Sequence, residues 1–530
     1  MGYTALQIKA SAPRSTGATT MMVNPTLDLK DLPQLMTPQQ ALQIINYLPT
    51  SDARLPVRKG LERIFTVVGN FPITLLQQFT DNIWIFGFNT TTAAYNVTTG
   101  VVTVIKNNWP TNAAQSGVRY GDFFFVCNGS DVIHRITTGL VISAVAGSPN
   151  AAVLRAVGPR LYASTANIGE IAYSNIDTGA NPPFATWVVG ANAGDPGLVT
   201  YRNAGTVTSI DSLGSNIVIG ATEGKWAFNT TVGDVGGTLQ KTDNVVLQRI
   251  DMGMSRATIV IPKGMFYVNA GGLWQLGSVG QSNVPFSEQE GEASLVLGVD
   301  YFNNISLTNA DFAYDAKLDT LFLTCARNSD ANNLVIAYNL TSGTYAEFTG
   351  WNINRFMNID QIIYGAGSTA TTVWQCFEGH DDDGSEIWTT FYQELKVGDL
   401  ETRQELLKGY ICSFLSPSSN LKVCFSIYDT KGNFVNNKLC FTFRPQAGAT
   451  AGGGYGVSGW GTSGYGGTNS NSTGGLVECF DGFGPGHIRN FQRLRVKVTQ
   501  HSKVPHILVW IKAQAVPKIQ IRRRKMTIIT

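Results

Sequence analysis

Charge is what this chain has least of. Only 14% of its 530 residues are Asp, Glu, Lys or Arg, against roughly 25% in ordinary soluble domains. With 39 basic and 37 acidic residues the net charge is +2, and a chain so balanced does not hold nucleic acid through its bulk field. Any contact with DNA must be local or non-adhesive. No apolar run approaches the roughly 18 residues of a membrane helix, and Met1–Arg14 has no apolar core behind a basic start, so neither secretion nor membrane insertion is expected. Met1-Gly2 is followed by Leu6 where a myristoylation signal wants Ser or Thr. The 7 cysteines (Cys127, Cys325, Cys376, Cys412, Cys424, Cys440 and Cys479) are odd in number and show no CxxC spacing. They read as buried, reduced thiols rather than a disulfide framework or a zinc site.

Catalytic motifs are equally scarce. The histidines (His134, His380, His487, His501, His506) have no HExxH spacing, and His501 and His506 flank Pro505 in what reads as a turn. Gly220–Trp226 is one residue short of a phosphate loop and carries Trp226 where Ser or Thr would hold magnesium. It reads as a turn between strands. No G-x-S-x-G elbow is present. Asp381–Glu386 contains D-x-D-G, but Tyr392 stands at the position where a calcium loop needs its bidentate Glu, so a charged hairpin turn is expected. Ser174–Gly179 followed by Trp187 is similar to the Asp-box turn of sialidase propellers, although the tryptophan comes late and the box does not recur. No cofactor, metal or catalytic residue is predicted.

What the chain has in quantity is turn chemistry and repetition. Tyr95-Asn96-Val97-Thr98-Thr99-Gly100, His134-Arg135-Ile136-Thr137-Thr138-Gly139 and Tyr338-Asn339-Leu340-Thr341-Ser342-Gly343 each join two apolar alternating runs. Such a step is a hairpin corner, because glycine takes positive φ without steric cost. Gly100 and Gly139 lie 39 residues apart by their numbers (139 − 100), near the period of about 40–50 residues of a four-stranded propeller blade. The three corners are expected at equivalent places in three blades.

The organisation follows. Residues 1–60 read as an N-terminal arm, with one short helix over Pro38–Tyr47 capped by Thr37. Residues 61–400 read as strand after strand punctuated by Asn-Gly, Gly-Gly and Asp-Gly pairs, an all-β propeller of about 6–8 blades with seven favoured. Residues 401–520 read as a β-sandwich-like domain carrying a Gly-rich insertion at 447–475. That insertion presents Tyr455, Trp460 and Tyr465, three rings on a segment that cannot order itself, and reads as a contact arm. The basic tail 521–530 holds Arg522, Arg523, Arg524 and Lys525 and reads as a solvated tail, a docking segment or, third, a phosphate contact.

Several phrases in order resemble the tail nozzle (tail hub) proteins of short-tailed bacteriophages. They are Arg58-Lys59-Gly60-Leu61; Tyr173-Ser174 with Asp177, Pro182, Pro183 and Trp187; Ile217–Gly220 leading to Lys225–Phe228; Ser255–Ile261 leading to Met265–Val268 and Gly271–Trp274; Asp382-Asp383-Gly384; and Arg493–Val498. The resemblance implies a virion protein made in the host cytoplasm. Six copies would form a ring below the portal and adaptor rings, next to tail fibre or spike proteins, with double-stranded DNA passing through without sequence specificity. It implies closure of the channel after packaging and a conduit role in genome ejection. The rival readings are a propeller glycosidase and a glycan-binding receptor module.

Overall fold

The computed structural model describes residues 19–22, 41–50, 55–175, 187–188, 196–200, 205–214, 216–229, 245–247, 253–276, 302, 304–395, 404–415, 421–428, 434–443, 475–479, 489–491, 493–502 and 506–517. The chain is all-β, with 38 strands among these residues, and divides into two compact units, one over 59–343 and 347–385, the other over 1–58, 344–346 and 386–530.

The first unit is a β-propeller. Blade 1 is the meander Ile73–Thr80, Ile83–Phe88, Thr91–Asn96 and Val102–Lys106; blade 2 runs from Ser116–Tyr120 to Ile142–Ala144, blade 3 from Leu154–Val157 to Gly197–Thr200, and blade 4 from Val207–Leu213 to Val245–Leu247. Blade 5 has three described strands, Thr258–Ile261, Gly264–Asn269 and Gly272–Leu276. Blade 6 is the meander from Ile305–Asp315 to Tyr345–Thr349, and blade 7 combines Ile353–Ile359, Ile362–Gly367 and Thr372–Cys376 with Leu61–Thr66. Six of these are self-contained sheets, and the blade 6 meander completes the circle. The first strand of each blade neighbours the first strand of the next, from Ile73–Thr80 round to Ile353–Ile359 and back. The circle is closed by chain ends far apart in sequence, since Leu61 lies opposite Cys376 and Thr66 opposite Thr372 in an antiparallel ladder.

Strand alternation here sorts residues between two seams. Along Ile83–Phe88, Trp84, Phe86 and Phe88 pack with Phe65, Met357 and Val373 of blade 7, while Ile85 packs with Phe124, Val126 and Ile136 of blade 2. Successive side chains point to opposite faces of a strand, and both faces of the blade are covered, so nearly every position is apolar. Burying one such side chain contributes about 1.5–3 kcal/mol. Aromatic rings fill the junction of blades 7 and 1, with Phe65 stacked on Tyr95 at 4.1 Å between centroids.

The three expected corners each connect the third and fourth strands of a blade: Gly100 in blade 1, Gly139 in blade 2 and Gly343 in blade 6. Two are built alike. The Oδ1 of Asn96 accepts from the backbone N–H of Thr98 and Thr99, at 3.0 and 2.9 Å, and that of Asn339 from Thr341 and Ser342, at 3.1 and 2.8 Å. Gly100 and Gly343 then take φ of 70° and 66°. The middle copy has Arg135 where the others have asparagine, and its turn slips by one residue. The Oγ1 of Thr137 accepts from Val141 N at 3.2 Å, and the left-handed residue is Leu140, at φ 62°.

The second unit contains two antiparallel sheets. In one, His506–Pro517 and Gln404–Leu415 form the centre; Thr19–Met22 and Leu55–Pro56 pair with the former, and Gly475–Cys479 and Arg489–Phe491 with the latter. In the other the order is Ala41–Ile45, Ile387–Leu395, Arg493–Ser502, Leu421–Tyr428 and Phe434–Phe443. Three expectations change. The described strands of residues 1–58 are woven into this unit rather than forming an arm. Ile387–Leu395 belongs here and not to the propeller. The helix expected over Pro38–Tyr47 is, through Ala41–Ile45, a strand in register with Thr390–Gln393. Its pairing and the complete burial of Ile44 override a weak local helix preference. Cys127, Cys325 and Cys376 form no disulfide and are buried as expected, with burial pushing the Cys127 thiol up to about 12. Cys424 departs from the expectation, for it is disulfide-bonded. In the ladder its backbone position is opposite Cys440.

Candidate functional site

The most concentrated polar chemistry lies on the inner strands of the propeller. Arg155 of blade 3 reaches Asp211 of blade 4, Nη2 to Oδ1 at 2.6 Å, and the other oxygen of Asp211 accepts from the hydroxyl of Thr258 in blade 5. Just before that blade, Arg256 donates from Nη2 to the backbone oxygen of Gln115 at 2.6 Å. Gln115 immediately precedes the first strand of blade 2, so this bond joins blades that are three places apart in the ring. Its own N–H donates to Thr74 Oγ1 of blade 1 at 3.2 Å, its Oε1 accepts from Thr92 at 2.6 Å, and its Nε2 donates to Thr91 O at 2.8 Å.

Arg355 of blade 7 completes the arrangement. The Nε donates to Thr74 O at 2.9 Å, and Nη1 to Asn309 O and Asn354 O, both at 2.9 Å. Asn354 beside it donates to Ile73 O at 2.8 Å. Asp311 of blade 6 accepts from the N–H of Phe356 at 2.8 Å. Arg355 is only 6% exposed, whereas Arg256 and Asp311 are half-buried. Burial pushes Arg256 down to about 9, the neighbouring Arg355 charge adds to the fall, and Asp311 partly offsets it. Burial likewise lowers Arg355, against the pull of Asp311. It raises the carboxyl of Asp311, opposed by Arg355. All seven blades contribute to this bracing.

The residues singled out by sequence fall elsewhere. Tyr455, Trp460, Tyr465, Arg522, Arg523, Arg524, Lys525 and Asp177 lie outside the described residues. The Asp381–Glu386 string is a hairpin turn, with Asp382 N bonded to Ser385 O at 2.8 Å and the left-handed pair Asp383 and Gly384 at its tip. Its carboxylates are used within the protein: Asp382 accepts from Trp351 Nε1 at 3.1 Å, and Asp383 from Arg63 Nε at 2.9 Å and Trp374 Nε1 at 3.2 Å. Among the described residues no group of three or more His, Cys, Asp or Glu side chains is placed to hold a metal ion. Gly220–Trp226 spans the turn between the second and third strands of blade 4, closed by Ala221 N to Gly224 O at 2.9 Å. The axial cluster itself has no motif spacing. Its signal in the sequence was a charged residue at or beside the start of an apolar strand, as in Asn354-Arg355 and Arg256.

No family model matches the chain, and no curated protein matches it. Among solved structures it is similar to a chain of the mitotic checkpoint complex, at 12% identity and TM-score 0.41 over 60% of this chain and 93% of that one. It is also similar to the extracellular domain of a B. thetaiotaomicron protein described as a hybrid two-component system, at 11% identity and TM-score 0.43 over 59% of this chain and 39% of that one. A one-component counterpart gives 11% and 0.43 over 71% and 44%.

Proposed function

We propose that this chain is a structural protein of a short bacteriophage tail, a nozzle or hub whose six copies form a ring that closes the DNA path after packaging and serves as a conduit in ejection. The ordered run of motifs in the sequence suggests the family. The observation that carries the structural reading is the use of the axial carboxylates: Asp211 is taken by Arg155 and Thr258, and Asp311 by the Phe356 N–H beside two guanidiniums. A hydrolase of glycans needs a carboxyl pair presented to substrate, whereas these groups tie blade to blade. The bracing across the propeller axis favours a DNA path between copies rather than through the blades of one copy.

Electron microscopy of the purified protein and of whole particles tests this. Six-fold rings at the distal end of a tail, and loss of packaged DNA from particles lacking the protein, are the expected results. Release of sugar from host polysaccharide, abolished by Asp177→Asn, would replace the proposal with the glycosidase reading.

A further inference from the structure

We infer that the propeller axis carries a binding site for a small oxyanion, a phosphate or a carboxylate, held between the guanidiniums of Arg256 and Arg355. Three observations place it there. Two guanidiniums lie within electrostatic reach of each other with a single carboxylate, Asp311, beside them, so the cluster has an excess of one positive charge. Arg355 directs Nε and Nη1 at backbone oxygens, while its buried Nη2 has no hydrogen-bond partner. A buried, unpaired charged donor is costly, and a planar guanidinium edge suits an oxyanion, which it can grip with two parallel bonds. Finally, Arg256 and Asp311 are only part-buried as residues.

The two cations come from different blades, Arg256 entering blade 5 and Arg355 from blade 7 on the far side of blade 6, and Arg256 also holds blade 2 through Gln115. An oxyanion between them would therefore draw blades together as well as neutralise the excess charge. This site is independent of the tail reading, because it rests on the propeller alone.

The test is calorimetric titration of the full-length protein with inorganic phosphate and, separately, with acetate, at constant ionic strength set by sodium chloride. Saturable binding of either ion is expected, together with a rise in unfolding midpoint that grows with the logarithm of its concentration. Loss of one charge-assisted contact in Arg256→Gln should weaken binding about tenfold or more, and the exposed control Lys317→Gln should bind as the parent does. Modification of the unaltered protein by phenylglyoxal, read by mass spectrometry, gives an independent measure should the variant fail to fold, since phosphate should slow labelling of Arg256. Equal effects of chloride and phosphate, undiminished binding by a folded Arg256→Gln, or unchanged labelling of Arg256 would each overturn the site.

Discussion

Arg327 and Glu347 face each other across blade 6 in a fork-to-fork pair, Nη1 to Oε2 at 2.8 Å and Nη2 to Oε1 at 2.7 Å. The carboxylate is 5% exposed, and the two residues lie on the second and fourth strands of the blade, so the pair spans the strand between them. Removing the cation leaves a buried anion without its main counter-charge. Arg327→Ala should cost about 2–3 kcal/mol, discounted from the fully buried case because the Arg327 side chain is one-third exposed. Urea unfolding of both single variants and the double variant measures it; additive losses would show that the two groups act independently.

The slipped corner of blade 2 gives opposite expectations for glycines in matching phrases. Gly100→Ala and Gly343→Ala each force a side chain into the left-handed region, costing about 1–2 kcal/mol, although a Cβ at either would meet no atom within 4 Å. Gly139 does not occupy that region, so Gly139→Ala should be nearly neutral, while Leu140→Gly should relieve strain. Thermal midpoints of the four variants decide it.

Gly60 is predicted to be far less tolerant. A Cβ there would sit 1.6 Å from the backbone oxygen of Asp381, and that oxygen already accepts from Leu61 N at 2.9 Å. Gly60→Ala must displace the entry to the strand that closes the ring. Limited proteolysis should find cuts near Leu61–Thr66 in this variant and not in the parent.

At the seam of blades 1 and 2, His134 is buried with Nδ1 at 2.9 Å from Val132 O and Nε2 at 3.5 Å from Lys106 Nζ. Asp131 is the nearby anion, 3.8 Å from Nε2. Burial lowers the His134 pKa and Lys106 lowers it further, against the Val132 bond and Asp131. A depressed folded value means that the unfolded chain binds the proton first, so the contribution is complete above the unfolded value of about 6.5. It is lost as pH falls through the folded value. His134→Gln should flatten the dependence of the urea midpoint on pH below about 6.5; an unchanged slope would assign the dependence to other groups.

The propeller was legible because its apolar runs are short, regularly spaced and bounded by turn residues, and the corners at Gly100 and Gly343 carry the asparagine that makes the turn. The strand Ala41–Ile45 was not, since its partner Ile387–Leu395 lies more than 340 residues away and local periodicity does not separate a short helix from a paired strand. The axial cluster escaped for a related reason. Arg256, Asp311 and Arg355 are spaced by blade length, a separation that no local motif describes, and only ring closure brings them together.

That closure also dictates an order in time. Leu61 has no partner until Cys376 exists, 315 residues later by their numbers (376 − 61). At synthesis rates of about 5–20 residues per second the strand Leu61–Thr66 waits roughly 15–60 seconds. Thr19 waits longer still, for Ala513. The nascent chain therefore carries unpaired strand edges through most of its translation, and its two closures come late, the propeller first and the sheet built on His506–Pro517 after it.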